Sequence, residues 1–67
     1  MPKAIPLRTD YSAEDLRARA RSVHDAKQAR RLLALAGIRD GLSRTEAARL
    51  GAMDAQTLRD WVIAFNA

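Results

Sequence analysis

The chain of 67 residues contains no cysteine, which excludes disulfide bonds and metal sites built on thiolates. Its single histidine, His24, has no second histidine with which to share a zinc ion, and we interpret it as a surface residue between two helices. No apolar stretch approaches the roughly 20 residues of a membrane-spanning helix, and the N-terminus lacks the apolar segment of a secretory signal peptide. We therefore expect a chain that works without a metal, a cofactor or a membrane.

Negative charge is the scarcer sign, and the formal net charge is +4 with a sequence pI near 10.7. Eight basic and four acidic residues lie between Met1 and Arg31, whereas the remainder carries four of each. An excess of positive charge favours a polyanionic partner, and here its attraction must come mainly from the first half of the chain. Arg17, Arg19 and Arg21 can contact phosphates, or they form an ordinary solvated helix face.

Proline is confined to the first ten residues, MPKAIPLRTD. Because proline disfavours a helix, these residues predict an extended basic arm over residues 1–11. Lys3 and Arg8 can reach a minor groove, as basic arms do. The alternative is a disordered tail, or one that Ile5 and Leu7 pin to the core.

Helical periodicity fills the rest of the chain, and no strand pattern is present. Ser12 with Asp15, and Asp25, have the features of helix N-caps, and Gly41 has those of a left-handed residue after a helix end. We place Gly37 where another helix approaches closely. The predicted helices span residues 13–23, 26–40, 44–51 and 55–66. Their apolar stripes are Leu16, Ala20 and Val23 in the first helix, and Ala29, Leu32, Leu33, Ala36 and Gly37, widened by Leu35 and Ile38, in the second.

The stretch from Ser43 to Phe65, SRTEAARLGAMDAQTLRDWVIAF, predicts two helices joined by a tight turn. Ser43 and Glu46 form a capping box, Gly51 supplies conformational freedom in the turn, and Asp54 caps the second helix. Small residues at Ala47 and Ala48, with Leu50 beside them, suit a close helix crossing. We expect a shared core of Leu33, Ala48, Leu58, Trp61 and Phe65, in which Trp61→Ala costs roughly 3–5 kcal/mol.

The predicted fold is all-α: a small homeodomain-like helix–turn–helix bundle over residues 12–67, with an extra N-terminal helix and the arm. The last helix would present its outer face to a DNA major groove. The residues expected to contact bases are Ala55, Gln56, Arg59, Asp60 and Ile63, with Asp60 mainly holding an arginine in place. Those expected to contact phosphates are Ser43, Arg44, Thr45, Thr57, Arg8, Arg30 and Arg31.

Two phrases, SRTEAARLG (Ser43–Gly51) and MDAQTLRDW (Met53–Trp61), resemble the N-terminal DNA-binding domain of bacterial insertion-sequence transposases related to mariner. The capped helix at Ser12 and the RRLLALA segment (Arg30–Ala36) extend the resemblance over almost the whole chain. It implies recognition of transposon terminal inverted repeats. In that family a separate RNase H-like domain carries the catalytic acidic residues, and this chain contains no such domain. Helix–turn–helix proteins usually have glycine where Ala52 stands here, and in this sequence Gly51 comes one residue earlier.

We expect no enzymatic activity, because no nucleophile is paired with a base and no glycine loop cradles a phosphate. The expected partner is double-stranded DNA, bound by a monomer or a homodimer in a bacterial cytoplasm near the nucleoid, and no small-molecule substrate is implied. Two alternatives remain: a repressor-type DNA binder and a helical module that docks a partner protein.

Overall fold

The computed structural model describes residues 4–67, so the prediction for Lys3 lies outside the described part of the chain. The four helices are α1 (Ala13–Ser22), α2 (Ala26–Arg39), α3 (Arg44–Leu50) and α4 (Ala55–Asn66). No strand occurs within residues 4–67, and none of these helices is long and apolar enough to cross a membrane. The all-α helix–turn–helix bundle is therefore confirmed, with each helix end within one residue of its predicted position.

Side-chain caps fix where the helices begin. The Ser12 hydroxyl accepts the Asp15 N–H at 3.0 Å, and the Asp15 carboxylate accepts the Ser12 N–H at 3.1 Å. Asp25 caps α2 by accepting the Lys27 N–H at 2.8 Å. Each cap satisfies N–H groups that have no partner inside the helix, so the predicted starts are confirmed.

Two helices end in the same hydrogen-bonded turn, with one residue in the left-handed region. After α2, Gly41 has φ +96°, and the Leu42 N–H donates to the Gly37 carbonyl at 3.0 Å. After α3, Ala52 has φ +56°, and the Met53 N–H donates to the Ala48 carbonyl at 2.9 Å. Both are Schellman motifs, whose left-handed position usually holds glycine.

The role predicted for Gly51 is wrong, because its φ of −87° is one that any residue adopts. Gly51 is needed instead for a close approach. A Cβ there would lie 2.9 Å from the Ala34 Cβ and 3.1 Å from the Arg30 carbonyl oxygen, so the turn between α3 and α4 rests directly on α2. Gly37 has the predicted role, since a Cβ there would lie 3.2 Å from Leu50 Cδ2 of α3.

The core lies where α1, α3 and α4 meet α2. Its fully buried large side chains are Leu16, Leu58 and Val62, and small residues let the helices meet: Ala34 and Ala36 of α2, and Ala47 and Ala48 of α3. Alanine at a helix crossing allows the two backbones to approach closely. These alanines therefore let the other helices pack tightly around α2.

Several residues predicted to be core lie at its edge. Leu33, Trp61 and Phe65 are only partly buried, and Trp61 lies against Arg31 at the surface. Val23 is 36 % exposed because α1 ends before it and its backbone turns extended. Leu50 is 51 % exposed because it ends α3 and lies across Gly37 rather than beneath it. The strict core is therefore narrower than the stripes in the sequence.

Polar contacts fasten α1 and the start of the chain to α2. Arg17 of α1 forms an ion pair with Asp40 at 2.6 Å. The Arg39 Nε donates to the Tyr11 carbonyl at 3.0 Å, and the Arg19 guanidinium lies over the Tyr11 ring, 4.5 Å from its centroid. Arg17 and Arg19 thus have partners within the chain, whereas Arg21 is exposed.

Residues 4–8 have no regular secondary structure, bends follow at residues 9–11, and this segment lies against the C-terminal end of α4. Leu7 is buried in the core and Ile5 packs against it. The Asn66 side chain holds the backbone on either side of Leu7: it accepts the Arg8 N–H at 2.8 Å and donates to the Pro6 carbonyl at 2.8 Å. The alternative of an arm pinned by Ile5 and Leu7 is confirmed for these residues.

Candidate nucleic-acid interface

The outer face of α4 is exposed along its length. Leu58 and Val62 point into the core, which turns the opposite side of the helix towards solvent. The structure therefore places the predicted base-contacting residues together on one open face: Ala55, Gln56, Arg59, Asp60 and Ile63. Ile63, a large apolar residue on this face, is 49 % exposed.

Asp60 does not hold an arginine in place, so that part of the prediction is wrong. Its Oδ1 accepts the Gln56 amide at 3.2 Å, one helical turn earlier. Among residues 4–67 the ion pairs are Arg8–Asp10 and Arg17–Asp40, so Arg59 pairs with no carboxylate. Because the Arg59 guanidinium makes no such pair, it can donate to another molecule without first breaking an ion pair.

Asp54 caps the N-terminus of α4. Asp54 Oδ1 accepts the Thr57 N–H at 2.7 Å, and this hydrogen bond holds the pKa of Asp54 below its ordinary value. The Thr57 N–H is therefore occupied, and only its hydroxyl remains for the predicted phosphate contact.

The start of α3 is a capping box, as predicted. Ser43 Oγ accepts the Glu46 N–H at 3.1 Å, and the Glu46 carboxylate accepts the Ser43 N–H at 3.2 Å. These hydrogen bonds lower the pKa of Glu46. The N–H groups of Arg44 and Thr45 remain without a partner inside the helix, in keeping with their positions in its first turn.

Two predicted phosphate-contacting arginines are occupied within the chain. Arg44 donates to the Ile5 carbonyl at 2.7 Å and so holds the arm. Arg8 pairs with Asp10 at 2.6 Å, which lowers the pKa of Asp10, and it lies over the rings of Tyr11 and Phe65. The phosphate contact of Arg8 stays a prediction, but its position at the C-terminal end of α4 separates it from Gln56.

The other two arginines border a cleft of about 240 Å³ between α2, the turn after α3 and the first part of α4. We call it the basic cleft. Its lining residues are Lys27, Arg30, Arg31, Gly51, Ala52, Met53, Thr57 and Trp61. The Arg31 guanidinium lies over the Trp61 ring, 3.5 Å from its centroid, which is close enough for a cation–π interaction.

Lys27 lines this cleft but is not among the residues that the sequence predicts to contact phosphates. Its spacing to Arg30 and Arg31, three and four residues, places all three on one side of α2. This spacing could have identified Lys27, but only the structure shows that α4 packs beside that side of α2.

Within residues 4–67, no cluster of three histidine, cysteine or acidic side chains is arranged to hold a metal ion. Most of the acidic residues instead serve in helix caps or pair with neighbours. Asp25 and Asp54 cap α2 and α4, Asp15 and Glu46 complete the capping boxes of α1 and α3, and Asp10 and Asp40 form ion pairs.

Fold and surface together define a small helix–turn–helix bundle with an open outer face on its last helix. The chain is similar to a protein of Sinorhizobium fredii (strain NBRC 101917 / NGR234) described as the uncharacterized protein y4pG/y4sC. The two are 54 % identical over 67 residues, which is all of this chain and 35 % of the relative. The chain thus spans about a third of that relative's length. No family model and no solved structure matches the chain.

Proposed function

We propose that this chain binds double-stranded DNA by placing the outer face of α4 in the major groove. The observation that carries the proposal is the separation of the two sides of α4: Leu58 and Val62 are buried, while the predicted base-contacting residues are all exposed. A helix held rigidly by its apolar side, with its polar side free, has the form that helix–turn–helix proteins insert into DNA.

The side chains on this face suit base edges. Arg59 can donate two hydrogen bonds to guanine O6 and N7, and the Gln56 amide can pair with adenine N6 and N7 once it leaves Asp60. Ala55 or Ile63 can pack on a thymine methyl group. This arrangement supports binding of a preferred sequence in addition to general attraction to the backbone.

The biological role that we propose is recognition of transposon terminal inverted repeats. Support comes from the resemblance carried by Ser43–Gly51 and Met53–Trp61, which covers both helices of the motif. A repressor-type DNA binder would use the same surface. We also propose that the chain is a binding module and not a catalyst, which fits the use of its acidic residues as caps and ion-pair partners.

A protein-interaction module is the second candidate, and one observation favours it. A groove of about 190 Å³ between α2 and the second half of α4 is lined mainly by apolar side chains, including Leu32, Leu35, Trp61 and Phe65. Binding of duplex DNA that weakens steeply with added salt distinguishes the DNA-binding function from this one, because an apolar groove releases few counterions.

The experiment that tests the function begins with selection of a preferred site from randomised duplexes. Affinities of the chain for that site and for a random duplex are then compared at one salt concentration. Arg59→Ala should lose about 1–3 kcal/mol on the selected site and much less on the random duplex.

Arg21→Ala is the matched control. It removes the same charge from an exposed position of α1, a helix that packs on α2 and not on α4. Equal losses on the two duplexes for Arg59→Ala would show that Arg59 contacts the backbone. Absence of duplex binding by the unaltered chain would overturn the proposed function.

A further inference from the structure

We infer that the basic cleft binds a backbone phosphate of the DNA, beside the groove that α4 enters. This inference rests on the proposed function, and it assigns the sequence-independent part of the binding to particular residues. Lys27, Arg30 and Arg31 bring three positive side chains to one cleft. None of them forms an ion pair within residues 4–67, so none must give up a carboxylate to receive a phosphate.

The carboxylates nearest in sequence to the cleft do not pair with its basic side chains. Asp25 is bound to the Lys27 N–H and Asp54 to the Thr57 N–H, and neither lines the cleft. The Thr57 hydroxyl does line it and can donate to a phosphate oxygen. The cleft therefore combines positive side chains with a hydroxyl donor, a combination that recurs in contacts to DNA backbones.

Arg31 is oriented before any ligand arrives. Its guanidinium lies over the Trp61 ring at 3.5 Å from the centroid, so the aromatic face restricts its rotamers. Ordering a free arginine side chain on binding costs conformational entropy, and a side chain already stacked loses less. Trp61 is in this sense a positioning residue, which also gives its partial exposure a function.

The cleft is held in a fixed relation to the outer face of α4. Gly51 packs so closely that a Cβ would lie 3.1 Å from the Arg30 carbonyl oxygen, so the turn before α4 cannot slide freely over α2. Thr57 belongs to the cleft, whereas its neighbour Gln56 belongs to the exposed face. One duplex can therefore contact both, with a phosphate in the cleft and bases against the first turn of α4.

The test measures the salt dependence of duplex binding by a chain carrying Lys27→Gln and Arg30→Gln. Both side chains are exposed, and glutamine is as good a helix former as lysine or arginine, so the fold should persist. Each lost phosphate contact should reduce the slope of log affinity against log salt by about one unit. Because the cleft binds one phosphate, affinity should then fall roughly three- to fourfold less for the double variant than for the parent chain between about 50 and 200 mM salt.

The loss should be equal on the selected site and on a random duplex, because a phosphate carries no sequence. Arg21→Gln is the charge-matched control, and it should leave the slope unchanged. Trp61 is the sole tryptophan, so its fluorescence reports on the cleft directly and should change when the parent chain binds duplex.

The outcomes separate the two proposals. An unchanged salt slope in the double variant, with Arg59→Ala still losing sequence preference, overturns the cleft and leaves the proposed function intact. A change in sequence preference without a change in slope would also overturn the phosphate assignment. No duplex binding by the parent chain overturns both.

Discussion

At the scale of single residues, Ala52 is the one non-glycine residue among residues 4–67 whose φ is positive. Its φ of +56° lies in the left-handed region, where a Cβ costs roughly 1–2 kcal/mol. Glycine removes that cost but adds freedom to the unfolded chain, so Ala52→Gly should raise the free energy of unfolding by about 0.5–1 kcal/mol. Urea denaturation followed by circular dichroism measures it.

The adjacent position is the control for this prediction. Gly51→Ala places a Cβ against Ala34 and the Arg30 carbonyl, neither of which can move without shifting α2. We expect a loss of about 1–3 kcal/mol, as for other overpacked positions. If Ala52→Gly destabilised the chain and Gly51→Ala did not, the assignment of the turn would be reversed.

The carboxylates that cap helices make the free energy of unfolding depend on pH. The pKa of Asp54 is lowered because its carboxylate accepts the Thr57 N–H in the folded state. A lowered folded pKa adds stability above the unfolded pKa, and this stability is lost as the pH falls through the folded value. The free energy of unfolding should therefore begin to drop as the pH falls below about 4.

Asp54→Asn tests the cause of this pH dependence. Asparagine caps a helix as well as aspartate but does not titrate, so part of the drop should disappear while stability near neutral pH changes little. Urea unfolding across the acid range measures the difference. An identical acid profile in the variant would place the titration elsewhere, with Glu46 as the next carboxylate to replace.

At the scale of elements, two of the three residues in the predicted stripe of α1, Leu16 and Ala20, are buried in the core. Leu16 has no exposed surface, whereas Val23 lies beyond the last turn and is 36 % exposed. Leu16→Ala should therefore cost about 2–5 kcal/mol and Val23→Ala about 0.5 kcal/mol or less. Thermal melts of both variants measure this, and comparable losses would mean that the stripe continues into the core after all.

The helices could be predicted from the sequence because their signals are local. Ser12, Asp25, Ser43 and Asp54 stand next to the groups that they cap, and Gly41 marks the end of α2. The position of the left-handed residue after α3 was the exception. Glycine is expected there, but the helix ends one residue later than Gly51 suggests, and Ala52 takes the strained conformation.

The edges of the core could not be predicted, because periodicity describes a helix and not its neighbours. Leu58, Trp61, Val62 and Phe65 recur at helical spacing on one side of α4, yet only Leu58 and Val62 are fully buried. Trp61 and Phe65 are only partly buried. Leu50 lies on the side of α3 that faces α2, but it is the last residue of the helix and is 51 % exposed.

The candidate site was predictable only in part, for the same reason. The exposed face of α4 follows from the buried face opposite, which the sequence defines. Contacts between distant segments do not follow in this way: Arg44 reaches Ile5 and Arg8 reaches Phe65, across most of the chain. These contacts occupy two arginines that composition alone would assign to DNA.

At the scale of the whole molecule, the arm joins the two ends of the described chain. The Asn66 side chain both donates to Pro6 and accepts from Arg8, so a single amide secures Leu7 between them. Asn66→Asp keeps the acceptor and removes the donor. We expect the Arg8 amide to exchange its hydrogen several-fold faster in this variant, because the segment opens more often.

Asn66→Ala removes both hydrogen bonds and is the stronger form of the same test. It should cost about 1–3 kcal/mol and increase exchange at Arg8 further. The amide of Leu58 in the core serves as the internal control. If exchange at Arg8 were unchanged in both variants, burial of Leu7 alone would hold the arm.

Positive charge is distributed over the molecule in a way that agrees with the proposed function. The first half holds the excess, yet Arg17, Arg19 and Arg8 are occupied by Asp40, Tyr11 and Asp10. The basic side chains beside α4 pair with no carboxylate within residues 4–67. Attraction to a duplex should therefore concentrate at the basic cleft and the outer face of α4.

Nuclear magnetic resonance of the ¹⁵N-labelled chain with its selected duplex tests the central claim most directly. Amide chemical shifts should change along the outer face of α4, from Ala55 to Ile63, and beside the basic cleft. The amide chemical shifts of α1 should not change. The account is contradicted if excess duplex leaves the α4 amides unperturbed, or if the changes gather on α1.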